Sequence, residues 1–313
     1  MTNTSIYQDI AQRTGGDIYL GLVGPVRTGK STFIRRFMET LVIPNIEDVY
    51  AKERAKDELP QSGSGRTIMT AEPKFVPEDA VNVTLEGGVT FSVRMVDCVG
   101  YMVDGASGQF EDGTERMVAT PWFDEEVSMS RAAEEGTRRV IAEHSTIGIV
   151  MTTDGTICGI PREGYVPAEE RVVSELKAIG KPFVLVLNSA EPYSDAAQAL
   201  RSELADKYGV TCVCVNCIDL TAEDIDEILK FALYEFPIAE LGIYLPSWLD
   251  ALPSDAPLKS GILEAIAEAV QDMSRVRDAF GIMDALGGRE DVSAAGIRNV
   301  DMGTGKVSAE LEL

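Results

Sequence analysis

The chain has 313 residues, 45% of them hydrophobic and 25% charged, and a formal net charge of −23. That is room for one large α/β domain with an appendage, or for two modest domains, of ordinary globular composition. The acidic balance argues against nucleic-acid binding, which rewards Lys and Arg surfaces, so an anionic ligand would have to be met by local backbone dipoles.

Residues 1–16 are polar, with Asp9, Gln12 and Arg13 breaking up the few apolar positions. They have neither the apolar centre of a signal peptide nor a transit-peptide composition. No stretch reaches the roughly 20 apolar residues of a membrane span. A cytoplasmic chain without a transmembrane segment is expected. A strand is expected over 18–23 and a helix over 30–41. Residues 45–70 open on a charged, helix-prone stretch and close on Gln61-Ser62-Gly63-Ser64-Gly65. Apolar runs at 81–86 and 90–96, joined by Gly87-Gly88, read as a β-hairpin. Residues 101–131 form a long, Gly-rich, acidic insertion. Helices at 132–143, 167–179, 195–208 and 222–234 then alternate with strands at 146–152, 182–187 and 211–215.

Right-handed crossovers turn this order into a doubly wound, three-layer α/β fold, with a parallel sheet that gains one antiparallel strand from the hairpin. The two long segments, 45–70 and 101–131, exceed ordinary connections and read as lids or disordered stretches flanking the site.

Past Phe236-Pro237 the strand–helix rhythm stops. Residues 241–249 are a short apolar segment broken by Pro246. Over 258–285 a helical pattern carries Ile262, Ile266, Val270, Met273, Val276, Phe280 and Met283 on one stripe. The stripe suits packing on its own domain or a partner-binding face. Residues 287–313 are Gly-rich, end in a strand-like 306–313 and resemble the opening of a further domain. The expected division is a domain over 1–238, then a linker, helical segment and domain start over 239–313.

The five cysteines, Cys98, Cys158, Cys212, Cys214 and Cys217, are odd in number and sparse. Cys212 and Cys214 share a face of an expected buried strand, which fits core thiols in a reducing compartment; zinc would ask for paired short spacings. His144 alone makes no site.

Gly24-Pro25-Val26-Arg27-Thr28-Gly29-Lys30-Ser31 matches G-x-x-x-x-G-K-S between an expected strand and an expected helix. Glycines let the backbone curl so that successive N–H groups point at phosphate oxygens, and the helix N-terminus, including Thr32, adds its dipole. Lys30 is expected to reach the β- and γ-phosphates and the Ser31 hydroxyl to ligate Mg²⁺. Asp97-Cys98-Val99-Gly100 follows an expected strand beside the first. Its D-x-x-G placement suits a carboxylate near Mg²⁺ and a glycine N–H on the γ-phosphate. Thr70 can place its hydroxyl on the metal and its N–H on the γ-phosphate; Thr67 is a rival, and a plain loop threonine is the alternative.

Two features of signalling GTPases are missing. Tyr101 stands where many such enzymes put a water-orienting Gln. Asn188-Ser189-Ala190-Glu191 stands where an N-K-x-D guanine reader is expected. Loss of the lysine and the shorter carboxylate relaxes the choice of base and makes ATP plausible, with Asn188 retained at the base side. Arg66, Arg138 and Arg139 are candidates for charge stabilisation, though each reads more readily as a surface arginine.

Longer runs carry a resemblance. Thr14-Gly15-Gly16-Asp17-Ile18-Tyr19-Leu20-Gly21, Asp57-Glu58-Leu59-Pro60-Gln61-Ser62, Thr67-Ile68-Met69-Thr70 and Glu72-Pro73-Lys74-Phe75-Val76-Pro77 are among them. So are Val96-Asp97-Cys98-Val99-Gly100-Tyr101, Glu143-His144-Ser145-Thr146-Ile147-Gly148 and Tyr234-Glu235-Phe236-Pro237. With the phosphate loop, they closely resemble the stage IV sporulation protein A family of endospore-forming bacteria across nearly the whole chain. The resemblance implies a P-loop ATPase related by fold to translation-factor-type GTPases. It implies ATP and Mg²⁺ as ligands, and assembly into a static platform beneath the spore coat. It further implies other coat proteins and a small amphipathic membrane-anchoring peptide as partners, on the mother-cell side of the forespore outer membrane. On this resemblance Lys30 acts in ATP binding, Asp97 in Mg²⁺ handling and Thr70 in sensing the γ-phosphate. Ala71 stands where some members carry a second threonine. Members are longer, so a truncated or short form lacking the assembly and peptide-docking portion is expected.

Overall fold

The computed structural model describes residues 4–60, 73–84, 90–103, 110–111 and 114–313. The chain divides into two compact units, Met1–Ala232 and Leu233–Leu313.

In the first unit, α1 (Thr4–Thr14) leads into β1 (Asp17–Val23), followed by α2 (Lys30–Phe37) and α3 (Val49–Asp57). Strands β2 (Lys74–Thr84) and β3 (Thr90–Asp97) come next. Four two-residue strands follow: β4 (Phe110–Glu111) pairs with β5 (Thr114–Glu115), and β6 (Met117–Val118) with β7 (Val127–Ser128). Then come α4 (Met129–Glu143), β8 (Ile147–Thr153), α5 (Arg162–Ala178), β9 (Phe183–Asn188), α6 (Asp195–Tyr208) and β10 (Cys212–Val215). Helix α7 (Ala222–Tyr234) carries the chain onward.

Six strands form one sheet in the order β10-β9-β8-β1-β3-β2, parallel except for β2, which runs antiparallel to β3. Every residue of β8 and β9 is buried, as expected of unbroken apolar runs covered on both faces. From β1 the chain passes to β3 on one side and later to β8 on the other. Strand order therefore reverses at β1, and the crevice such a reversal opens at the carboxyl ends of the strands lies there.

Three boundaries differ from expectation. Strand β2 begins at Lys74, before the expected 81, because Pro77, Glu78 and Asp79 interrupt its alternation with a register shift between Val76 and Val81. It is an edge strand, where a missing N–H breaks no ladder bond. The Gly87-Gly88 turn lies outside the described residues. Helix α2 gives way at Met38–Val42 to a π-helical turn and then to a 3-10 turn at Pro44. Helix α5 starts at Arg162 and carries Pro167 inside it, although the sequence pattern starts at the proline. The extra turn is held by tertiary contacts. Tyr165 is buried, and Arg162 donates to the fully buried Glu169 at 2.8 Å.

In the second unit, β11 (Glu240–Tyr244), α8 (Pro257–Ala269), α9 (Asp278–Gly287), β12 (Ala294–Asp301) and β13 (Lys306–Glu312) follow in order. They make a three-stranded sheet, β11-β13-β12, with β11 parallel and β12 antiparallel to β13. Alternation along β13 buries Ala309 and Leu311 with Ile262, Ile282, Met283 and Leu286 of the helices. The expected single helical run over 258–285 is therefore two helices. Between them, Asp278 Oδ2 accepts from the Ser274 and Arg275 N–H groups at 2.9 and 2.8 Å. The Val276 N–H donates to the Phe236 carbonyl at 3.1 Å. Both helices turn their stripe to the same core, which leaves Phe280 37% exposed. Buried Glu235 pairs with Arg275 and, at 3.1 Å, with Arg277.

Glu169 is the polar pin of the first unit. It accepts from the Thr152 hydroxyl, from Arg162 at 2.8 Å and from the Tyr208 hydroxyl at 2.7 Å. Removing one partner of a buried ion pair leaves the other unpaired, so Glu169→Ala is expected to cost about 3–5 kcal/mol in urea-unfolding free energy. A loss below about 1 kcal/mol would place Glu169 in a solvated setting instead.

Candidate functional site

The loop from Gly24 to Ser31 curls at the carboxyl end of β1, and α2 begins at Lys30 with Gly29 as its N-cap in the left-handed region (φ 92°). A Cβ at Gly29 would lie 2.4 Å from Asn188 Nδ2, so glycine is required there. Arg27 is the non-glycine residue with positive φ (66°) among the described residues. For an L-residue that conformation costs about 1–2 kcal/mol. The Thr28 hydroxyl closes the curl by donating to the Pro25 carbonyl at 3.0 Å.

Lys30 is buried, and its Nζ donates to the Pro25 carbonyl at 2.7 Å and to that of Gly24 at 3.5 Å. Burial lowers its pKa, against the pull of Cys98 and Asp97. The Ser31 hydroxyl donates to Asp97 Oδ2 at 2.7 Å. Burial raises the Asp97 pKa, and the bond from Ser31 offsets part of that rise. Cys98 behind it is buried, its thiol pushed up to about 11 by burial, and its Sγ donates to the Leu22 carbonyl at 2.8 Å.

The D-x-x-G segment lies directly on the phosphate loop. The Tyr101 N–H donates to the Gly24 carbonyl at 3.1 Å, and the Val26 N–H donates to the Tyr101 carbonyl at 2.8 Å. Gly100 makes the approach possible: at φ 91°, a Cβ there would sit 2.2 Å from the Gly24 carbonyl oxygen and 2.6 Å from Lys30 Nζ. The Tyr101 hydroxyl is taken by Glu175, and the Arg171 guanidinium lies 4.9 Å from its ring centroid. Burial and the Glu175 bond push its pKa up. Tyr101 thus occupies the position of the water-orienting glutamine with its hydroxyl already committed.

Asn188 is buried, with both ends of its amide used. Its Nδ2 donates to the Thr28 carbonyl at 3.0 Å, and its Oδ1 accepts from the Cys217 N–H at 3.1 Å. It braces the phosphate loop against the end of β10, while Glu191 is exposed.

The structure therefore gathers Gly24, Pro25, Val26, Arg27, Thr28, Gly29, Lys30, Ser31, Asp97 and Gly100 at one crevice. Thr32 continues α2, and Asn188 sits against the loop. Thr70, Thr67 and Arg66 lie outside the described residues. Arg138 and Arg139 both pair with Glu135 on α4, at 3.0 and 2.8 Å. His144 meets Phe75 edge-on at 5.4 Å. The sequence pattern does not reveal the backbone role of Tyr101 or the bracing by Asn188, because neither depends on a local spacing.

Among the described residues, no group of three or more His, Cys, Asp or Glu is placed to hold a metal ion. Mg²⁺ needs no such group. It takes one or two protein oxygens and fills its remaining positions with water and phosphate. The Ser31 hydroxyl and Asp97 carboxylate are hard oxygen donors of that kind.

A mostly parallel α/β sheet with a G-x-x-x-x-G-K-S loop and a D-x-x-G loop closed upon it fits the P-loop nucleoside triphosphatase class. The chain belongs to the Stage IV sporulation protein A family: residues 1–237 match its ATPase domain and residues 238–313 its middle domain. It is 49% identical over 310 residues to Stage IV sporulation protein A of Clostridioides difficile (strain 630). Identity is 48% and 47% over 311 residues to the proteins of that name from Bacillus anthracis and Bacillus subtilis (strain 168). Each match covers 99% of this chain and spans 63% of the length of the curated relative.

Gly100→Ala is expected to pry the two loops apart, destabilising the chain by at least about 1 kcal/mol from backbone strain alone. Amide hydrogen exchange at Tyr101 and Val26 should accelerate in the variant. Unchanged protection at both amides would show that the loops tolerate a Cβ at this contact.

Proposed function

We propose that this chain binds and hydrolyses ATP, and that in a protein of its relatives' full length this nucleotide cycle drives self-assembly of the base layer of the spore coat around the forespore. The supporting observation is the Ser31–Asp97 hydrogen bond beside buried Lys30, where the D-x-x-G loop closes on the phosphate loop. In this reading the loop from Gly24 to Thr32 cradles the phosphates through the backbone N–H groups of Arg27 to Thr32, and Lys30 exchanges the Pro25 carbonyl for β- and γ-phosphate oxygens. Ser31, Asp97 and Thr70 hold Mg²⁺, which when bound neutralises charge on the phosphates. The Gly100 N–H meets the γ-phosphate. Lys30, Asp97 and Thr70 are the catalytic set, and Asn188 supports the base side of the loop.

The ATPase domain is taken as 1–238, with 239–313 as the linker, helical segment and start of a middle domain. For a protein of the relatives' full length, further copies of itself, other coat proteins and a small amphipathic membrane-anchoring peptide are the partners proposed, at the mother-cell face of the forespore outer membrane. No helix of the described residues is long and apolar enough to cross a membrane. A role in nucleic-acid binding is not proposed. A regulatory GTPase is the second reading, favoured by the retained Asn188 against Thr28. A nucleotide-binding scaffold without turnover is the third.

Phosphate release from the wild-type chain with ATP, lost in Lys30→Ala, is expected; equal release from both would refute the assignment of this site. Competition binding should show no GTP preference, and a tenfold preference for GTP would favour the second reading.

Binding uses the Asp97 carboxylate and the Lys30 ammonium, and burial drives each towards its neutral form. Lowering the pH through the raised Asp97 pKa adds a proton that binding must expel. Raising it through the lowered Lys30 pKa removes one that binding needs. ATP affinity should therefore peak between a limb above the usual carboxylate range and one below the usual lysine range, as read by titration calorimetry across pH. A profile flat across both limbs would exclude these two groups as the titrating pair.

A further inference from the structure

Two features of the phosphate loop meet on one residue. Arg27 holds a backbone conformation (φ 66°) that L side chains avoid and glycine adopts freely. Its Nη2 is also buried, with no hydrogen-bond partner among the described residues. Three other arginines have a buried unbonded nitrogen, and each interacts elsewhere: Arg36 pairs with Glu39, Arg94 lies 3.6 Å over the Phe75 ring, and Arg13 also has a partner. The phenol of Tyr165 is within electrostatic reach of Arg27, but it is already bonded to Cys158 Sγ at 2.8 Å.

The chain has 51 acidic residues against 28 basic ones, so carboxylates are plentiful, yet none pairs with this guanidinium among the described residues. Buried donors in folded proteins are almost always satisfied, and an orphan donor points to an acceptor outside the described residues, such as a bound anion. The loop on which it sits presents backbone N–H groups and a helix N-terminus, an environment that favours an anion. The strain held at the same residue is of the kind that persists at ligand clamps.

We infer that Arg27 is a second side-chain cation for the nucleotide, donating from Nη2 to a phosphate oxygen and gripping the polyphosphate together with Lys30. This rests on the triphosphate-binding reading above and adds a contact to it. The two cations are complementary. Lys30 is a compact point charge, whereas a guanidinium stays charged at any working pH and presents a planar fork that matches phosphate.

Arg27→Gly separates backbone from charge, because glycine relieves the left-handed conformation while deleting the cation. With the whole chain, thermal unfolding without nucleotide and calorimetric titration with ATP and Mg²⁺ are the two readouts. The variant is expected to melt at or above the wild-type temperature while binding ATP about 10- to 100-fold more weakly, the range for a charge-assisted hydrogen bond. Arg27→Lys, which keeps the charge and loses the fork, should fall between. Wild-type ATP affinity in Arg27→Gly would overturn the inference and leave the proposed function standing. A variant that melts well below wild type would show that the guanidinium supports the fold, and would overturn it as well. A wild-type chain that binds no ATP would overturn both.

Discussion

The pair of backbone bonds between Gly24, Val26 and Tyr101 joins the loops that leave β1 and β3, and the site depends on that join. It follows from strand register. Strands β1 and β3 are parallel neighbours aligned from Asp17 opposite Ser92 to Leu22 opposite Asp97. Asp97 therefore arrives level with the end of β1, within reach of Ser31 at the head of α2. A slip of one residue would send the carboxylate to the other face of the sheet. The Ser31–Asp97 bond, the enclosure of Lys30 and the left-handed Gly100 all follow from one alignment.

That alignment has an electrostatic cost. A buried ammonium and a half-buried carboxylate are each pushed towards neutrality, and their own contacts offset the loss of water only in part. Lys30 is satisfied by loop carbonyls, which are weak substitutes for anionic oxygen. The polyphosphate and metal proposed for this site would supply both missing charges at once, and a ligand that binds only the folded chain stabilises it by mass action.

Much of this was legible in the residue pattern. The phosphate loop, the D-x-x-G step and the alternating strands and helices of the first unit carry local signatures: glycines at forced backbone positions and apolar runs of the right period. The misplaced boundaries share a different cause. Pro77 hides the first half of β2, and Pro167 hides the first turns of α5. In both places tertiary setting outweighs local preference, an edge position for one and the Arg162–Glu169 pair for the other. The stripe over 258–285 is continuous in sequence, and only the Asp278 turn and the bonds to residues 236–238 show that it folds back on itself. Asn188, Tyr101 and Arg27 are identifiable as residues, but what their polar atoms meet is decided by elements distant in the chain.

The two borders of the six-stranded sheet also limit how the first unit can associate. One border, β10, is four residues long. The other, β2, carries a proline, a register shift and exposed Glu78 and Asp79 at its middle. Short, kinked and charged borders are poor templates for a further strand from another chain. Contact through side-chain surfaces, whose fit is specific and whose charge can be tuned, is favoured over strand pairing at these borders. Open-ended hydrogen-bonded growth of the kind that makes fibrils is disfavoured at both borders.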